Sequence, residues 1–343
     1  MTAFFQSEHS YNSYFHYHCL KNCFYQLLQY YGVPNAYLYI DIAMHFSLTA
    51  ATDLCKCAID NDIASLDTIS LLRPYEIRKQ FDHRQMANEY LSKALEDETP
   101  VIVTVDTFYL PYQLAYHKYH GSHAIFICKE MEDAYLIVDW YEPHYYKGLL
   151  NKTDLELARG SQYQSEDNPF SHIYPHYQSW AFQPDIARAL QDKEETPVFL
   201  QNMKNIYQNF YKPTFSLLHA DKYFGILAFE KLIQMLQEQM DQIGFHHLFL
   251  RKLHNSIFLL YIQKRILYFY IQQYSQNHGN MYANICEEIG ALLAKYQNVL
   301  FIIMKYSKAE KKENTGKIPM ALQTILLDEK KLGEHINKMA EGE

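Results

Sequence analysis

The stretch "YFHYHCLKNCFYQLLQYYG", residues 14–32, decides the fold of the first half of the chain. Apolar side chains recur at three- and four-residue steps from Leu20 to Tyr31, and Gly32 follows them. This pattern predicts a helix over residues 19–31. Two cysteines and two histidines stand at its beginning, within residues 16–23. They raise three hypotheses: a metal site, a buried cysteine pair, or the nucleophile of an enzyme.

Three short apolar segments later in the first half predict buried strands, because they combine β-branched with other apolar residues. They are "PVIVTVD" (100–106), "HAIFIC" (123–128) and "AYLIVDW" (134–140). The polar segment "KEMED" between the last two has the length of a hairpin turn. His123 opens one of these strands and Asp139 closes the next. If the two strands pair as a hairpin, His123 and Asp139 are neighbours.

The helix start is a suitable place for a nucleophilic thiol, because unpaired N–H groups and the helix dipole favour the thiolate. Cys19 stands there, whereas Cys23 lies one turn further along the same face, where free cysteines usually pack in the core. A thiolate also needs a base, and the base needs an acceptor to fix its tautomer. The sequence therefore predicts Cys19, His123 and Asp139 as catalytic residues.

Two other interpretations of the opening cluster remain open. Zinc is one, because His16, His18, Cys19 and Cys23 all carry ligand-type side chains. Structural zinc sites usually use two separated pairs of ligands, and adjacent residues rarely fit one tetrahedron. Purely structural burial of the cysteines is the other. We predict no metal and no cofactor.

The same segments resemble the N-terminal domain of the butirosin-biosynthesis protein H family. The resemblance covers roughly residues 14–146. It rests on His18-Cys19 at the helix start, Asp106 with Tyr109-Leu110-Pro111, His123 before a strand, and Asp139 at the end of the next.

The resemblance implies an α+β fold, in which a papain-like cysteine-protease-type domain precedes an all-helical domain. It also implies an acyltransferase or thioesterase of bacterial natural-product biosynthesis. The acyl donor would be bound to an acyl carrier protein or peptidyl carrier domain, and the acceptor would be a small molecule. A cysteine peptidase or amidase with the same three residues is the alternative, and a catalytically silent binding protein is another.

Further candidates for the oxyanion hole or the cleft surround the predicted catalytic residues. The backbone N–H of Cys19 and one side-chain donor would meet the oxyanion. Asp106 has a second interpretation, as a turn former that accepts backbone N–H groups. The candidates are Asn12, His18, Asp106, Tyr109 and His120.

The length of 343 residues allows two domains, and the pattern changes from mixed to helical after an aperiodic segment at 160–178. We predict domains at 1–165 and 180–343. The net charge of −8 argues against nucleic acid and anionic membranes as partners. Neither a signal peptide nor a spanning segment is recognisable, so a cytoplasmic location is expected. The segment "YIQKRILYFYIQQY" (261–274) is apolar on more than one face, as in a bundle centre or a homodimer interface of the helical domain.

Overall fold

A computed structural model describes residues 19–40, 42, 44–51, 54–60, 71–141, 144–164, 172–191, 193–213, 221–239, 247–308 and 316–342. The helices and strands within these ranges are α1 (Cys19–Tyr30), β1 (Ser47–Thr49), β2 (Ala58–Asp60), β3 (Glu76–Lys79), α2 (Arg84–Glu96), β4 (Val101–Asp106), β5 (Ser122–Glu130), β6 (Ala134–Tyr141), β7 (His144–Asn151), α3 (Lys152–Arg159), β8 (Tyr163–Gln164), β9 (His172–Ile173), β10 (Ser179–Phe182), α4 (Ile186–Gln191), α5 (Glu195–Ile206), β11 (Lys222–Phe224), α6 (Gly225–Gln239), α7 (His247–Asn277), α8 (Ala283–Lys308) and α9 (Lys317–Glu341).

The described residues divide into two compact units. The first takes its residues from Met1–Asp41 and Leu66–Lys193, and the second from Ile42–Ser65 and Glu194–Glu343. The α+β class is confirmed, since antiparallel sheets with helices are followed by a helical region. The predicted domain ranges, 1–165 and 180–343, stay predictions. β10 pairs within the main sheet of the first unit, and a segment from the first half of the chain belongs to the second unit.

A six-stranded antiparallel sheet forms the centre of the first unit, in the order β3-β10-β4-β5-β6-β7. Apolar side chains of β4, β5 and β6 join Leu91 of α2 and Leu155 of α3 in one buried cluster. The strands predicted at 100–106, 123–128 and 134–140 are thus confirmed. The aperiodic segment 160–178 contains the two-residue strands β8 and β9, which pair with each other.

The predicted helix at 19–31 is confirmed as α1, which packs against β5 and β6. Leu27 and Leu28 are fully buried, and each such burial stabilises the fold by about 1.5–3 kcal/mol. Gly32 ends the helix in the left-handed region (φ 73°), which glycine adopts without steric cost. The N–H groups of Gly32 and Val33 bond the carbonyls of Gln29 and Leu28, at 2.9 and 3.0 Å, so the last turn is capped.

The second unit combines the helices α5–α9 with a small antiparallel sheet in the order β11-β1-β2. The all-helical prediction is therefore wrong for this unit, although its helical character is confirmed. Residues 222–224 pair with β1, and α6 begins directly after them, at Gly225. Gly225 lies in the left-handed region, and a Cβ there would clash with the carbonyl oxygen of Phe210. Within the described ranges, no helix is long and apolar enough to cross a bilayer.

Candidate active site

The β5–β6 hairpin brings together the histidine and the aspartate that the sequence singled out. The strands are antiparallel, with Phe126 opposite Val138. This places His123, near the start of β5, beside Asp139, near the end of β6. His123 Nε2 lies 2.9 Å from both carboxylate oxygens of Asp139. Both side chains are buried, so this contact is shielded from water. The predicted neighbourhood of the two residues is confirmed, while their catalytic role stays a prediction.

Cys19 is the first described residue of α1 and reaches the same histidine. Its side chain is in hydrogen-bonding and electrostatic contact with His123. Because Nε2 of the imidazole faces Asp139, Nδ1 is the ring nitrogen left for the thiol. Cys19, His123 and Asp139 thus form a continuous chain of side chains, in the order that a nucleophile, a base and its orienting group require.

The electrostatics of this chain favour the protonated imidazole. Burial pushes the pKa of His123 down, but the charges of Asp139 and Cys19 outweigh burial and raise that pKa to about 10. An imidazolium held between a carboxylate and a thiol stabilises the thiolate, which is the reactive form of cysteine. The arrangement is suited to nucleophilic chemistry at Cys19.

Cys23 lies one turn further along α1 and is a core residue, as predicted. It is 2% exposed, and its Sγ lies 3.4 Å from the carbonyl oxygen of Ala124. Burial, together with the charges of Asp139, Cys19 and Cys128, raises the pKa of the Cys23 thiol well above its ordinary value. Cys23 therefore remains protonated, and only Cys19 of the two is suited to act as a nucleophile.

Asp139 has two further hydrogen-bond partners, which were not predicted from the sequence. The Tyr112 hydroxyl and the Gln113 amide both donate to Asp139 Oδ2, at 2.9 and 2.8 Å. Burial and the charge of Asp139 raise the pKa of the Tyr112 phenol, so it stays protonated and donates. The only sequence signal for them is their place directly after Tyr109-Leu110-Pro111.

Asp106 accepts four hydrogen bonds at the end of β4. Its Oδ1 accepts the backbone N–H groups of Phe108 and Gly121, each at 3.1 Å. Its Oδ2 lies 2.6 Å from His120 Nδ1 and accepts the Ser161 hydroxyl at 2.6 Å. The interpretation of Asp106 as a turn former that accepts backbone N–H groups is confirmed.

The other cleft candidates contact this aspartate or its neighbours. The His120 ring is stacked between Phe108 and Tyr163, with centroids at 4.1 and 3.7 Å. Tyr109 lies edge-on to Phe108 and His120. Among the described residues, no hydrogen bond joins Asp106 or His120 to the His123–Asp139 pair. The structure places these candidates at the base of the loop between β4 and β5.

Asn12 and His18 lie outside the described residues, and their predicted roles stay predictions. The same holds for the zinc hypothesis, which needs His16 and His18. In the part of the chain that the structure describes, no three His, Cys, Asp or Glu side chains cluster so that they could hold a metal ion.

Comparison with known families adds an independent observation. A family model described as butirosin biosynthesis protein H, N-terminal, matches residues 67–140. These residues are similar to that family's N-terminal domain. The match runs from β3 into β6 and includes His123 and Asp139, while Cys19 precedes it. It confirms the family resemblance over these residues. No curated protein matches the chain.

Proposed function

We propose that the protein is a cysteine-dependent acyltransferase or thioesterase of bacterial natural-product biosynthesis, of the aminoglycoside or nonribosomal peptide type. Its substrate would be an acyl or aminoacyl thioester on a carrier protein. The contact chain from Cys19 through His123 to Asp139 carries this proposal. The link of the family to butirosin biosynthesis supports the pathway class.

A papain-like description of the first unit is part of the proposal. Papain-like enzymes place a cysteine at the beginning of a helix and the histidine on a neighbouring strand. Here α1 begins, in its described part, with Cys19 and packs against the strands that carry His123 and Asp139. This arrangement supports the papain-like layout.

In the first half-reaction, Cys19 Sγ attacks the carbonyl carbon of the thioester. A new bond forms between this carbon and Sγ, and the bond to the carrier's sulfur breaks. The departing thiolate takes a proton from His123, so the acyl group rests on Cys19 and the imidazole is neutral. Asp139 keeps the imidazole oriented throughout.

In the second half-reaction, an amine or hydroxyl of a small acceptor attacks the same carbonyl carbon. His123 takes the proton of the acceptor, and Cys19 leaves as a thiolate, which restores the initial state. If water replaces the acceptor, the product is a free acid and the enzyme is a thioesterase. The oxyanion of each step would be stabilised by the backbone N–H of Cys19 and by a side-chain donor such as Asn12.

The proposal is tested by incubating the protein with acyl-loaded carrier protein and measuring its intact mass. We expect the protein to gain the mass of the acyl group, and Cys19→Ala to abolish this gain. Cys23→Ala is the matched control, because it removes a protonated, buried thiol from the same helix. It should acylate like the unmodified protein.

Three results would contradict the proposal. Acylation that survives in Cys19→Ala would place the nucleophile elsewhere. A protein that leaves every carrier thioester intact but cleaves peptide amides through Cys19 would be the peptidase or amidase. A protein that catalyses neither reaction, with Cys19 present or replaced, would be a binding protein.

A further inference from the structure

The loop between β4 and β5, residues 107–121, is closed at its base by Asp106. This buried carboxylate accepts backbone N–H groups from both ends of the loop, at Phe108 and Gly121. The ends also bond each other directly, since the N–H of Thr107 donates to the carbonyl of Gly121 at 2.9 Å. Charge-assisted hydrogen bonds to a fully buried carboxylate are among the stronger ones in proteins. The path of the loop is therefore held at its start and at its end.

The middle of this loop carries Tyr112 and Gln113 to Asp139. Both donate to the same oxygen, Oδ2, from the side of the carboxylate that the loop covers. The Tyr112 ring lies flat on Tyr146 of β7, with centroids 4.0 Å apart and an angle of 6° between the rings. The stacked ring restricts where its hydroxyl can point.

We propose that Tyr112 and Gln113 are positioning residues, which fix the Asp139 carboxylate so that it holds the His123 ring in the orientation that Cys19 requires. The proposal rests on the proposed function of Cys19. Asp106 would contribute indirectly: by bonding both ends of the loop, it would hold Tyr112 and Gln113 where they can donate to Asp139.

The physical reason is the rotational freedom of a carboxylate. With His123 as its single partner, the Asp139 carboxylate could turn about its terminal bond and shift the imidazole with it. Two donors on Oδ2 oppose this rotation, because each turn would break two hydrogen bonds in a buried, low-dielectric place. The imidazole then keeps Nε2 on Asp139 and Nδ1 towards Cys19, which is the tautomer and direction that nucleophile activation needs.

Tyr112→Phe is the main test, because it removes the hydroxyl and keeps the stacked ring. Tyr146→Phe is its matched control, since it keeps the same stack and removes a hydroxyl that donates to the carbonyl of Leu149. Gln113→Met is a second variant, which tests the same idea if Tyr112→Phe does not fold. We expect Tyr112→Phe and Gln113→Met each to lower kcat about tenfold with KM within about twofold. Tyr146→Phe should change neither.

A double-mutant cycle with Asp139→Asn separates positioning from a general structural role. If Tyr112 acts through Asp139, Tyr112→Phe should add less than about a twofold effect in the Asp139→Asn background. A full tenfold effect in that background would overturn the proposal. An effect of Tyr112→Phe equal to that of Tyr146→Phe would overturn it as well.

The rate of Cys19 alkylation by iodoacetamide at pH 6, followed by peptide mapping, provides a readout that needs no acyl substrate. We expect Tyr112→Phe to lower the alkylation rate of the otherwise unmodified protein. In the Asp139→Asn background, adding Tyr112→Phe should lower the rate no further. If acyl transfer is absent but the cycle holds in alkylation, the proposed function fails and the positioning role stands. If acyl transfer occurs and neither cycle shows coupling, the positioning role fails alone.

Discussion

Each of the two units buries a carboxylate in a network with a cation and a tyrosine. In the first, Asp139 contacts His123 and accepts from Tyr112 and Gln113. In the second, Glu329 accepts from Lys264 at 2.7 Å and from the hydroxyls of Tyr211 and Tyr296, at 2.9 and 2.7 Å. Asp139 is 1% exposed and Glu329 0%. In composition and burial the two networks are alike.

The two networks differ in what their cations contact besides the carboxylate. The Lys264 ammonium contacts Glu329 and Tyr211, each at 2.7 Å, and Met44 Sδ at 3.5 Å, so its three protons all face partners inside the unit. Burial lowers its pKa, and Glu329 opposes this only in part. His123 instead contacts the Cys19 thiol as well as Asp139, and its pKa is raised. A buried ion pair therefore points to a catalytic role where its cation also contacts a reactive group, as His123 does. Where the cation contacts only structural partners, as Lys264 does, the pair points to a role in stability.

The largest difference should appear when the same carboxylate-to-amide change is made in both networks. We expect Asp139→Asn to lower kcat for acyl transfer about 10²- to 10⁴-fold, because the imidazole loses the group that fixes its tautomer. Glu329→Gln should leave kcat within about twofold at a temperature where it is folded. Steady-state kinetics on both variants checks this. A similar loss in both, at equal folded fractions, would remove the distinction between the networks.

Removing the cation of the structural network should cost stability and not activity. We expect Lys264→Met to lower the free energy of unfolding by about 3–5 kcal/mol, because Glu329 is left as a buried unpaired charge. The double variant Lys264→Met/Glu329→Leu should regain most of this loss, since no charge stays buried. Urea denaturation measures both. Lys330→Met is the control, because its ion pair with Glu230 lies about half exposed and is worth about 0–1 kcal/mol.

The raised pKa of His123 should also appear in the pH dependence of stability. The unfolded imidazole has a pKa of about 6.5, whereas the folded one is raised to about 10. Its contribution to stability is thus fully present below pH ~6.5 and is lost as the pH rises towards ~10. We expect the loss between pH ~6.5 and ~9 to be on the order of 3 kcal/mol, and clearly smaller in Asp139→Asn. Denaturant midpoints measured across this pH range test the expectation. The same pH dependence in the unmodified protein and in Asp139→Asn would contradict the coupling between His123 and Asp139.

Local patterns were enough to predict the centre of the candidate site. Short β-branched runs and a turn of hairpin length predicted the β5–β6 pairing, and pairing places His123 beside Asp139 whatever the rest of the chain does. Helix periodicity and Gly32 predicted α1 for the same reason.

The parts that depend on tertiary contacts were not predictable. Tyr112 and Gln113 reach Asp139 from a loop whose two ends bond Asp106, and no spacing rule encodes that path. β1, β2 and β11 have three residues each, too few to show a period. Lys264 lies in a run that read as apolar on more than one face, and its partner Glu329 follows 65 residues later.

The most direct measurement of the central claim is the titration of the His123 imidazole by NMR, with its signal assigned by comparison with His123→Gln. We expect a midpoint near pH 10 in the unmodified protein, because Asp139 and Cys19 hold the proton against the effect of burial. Asp139→Asn should lower this midpoint by more than about one unit. A midpoint near ~6.5 that does not change in Asp139→Asn would contradict the coupled unit of Cys19, His123 and Asp139.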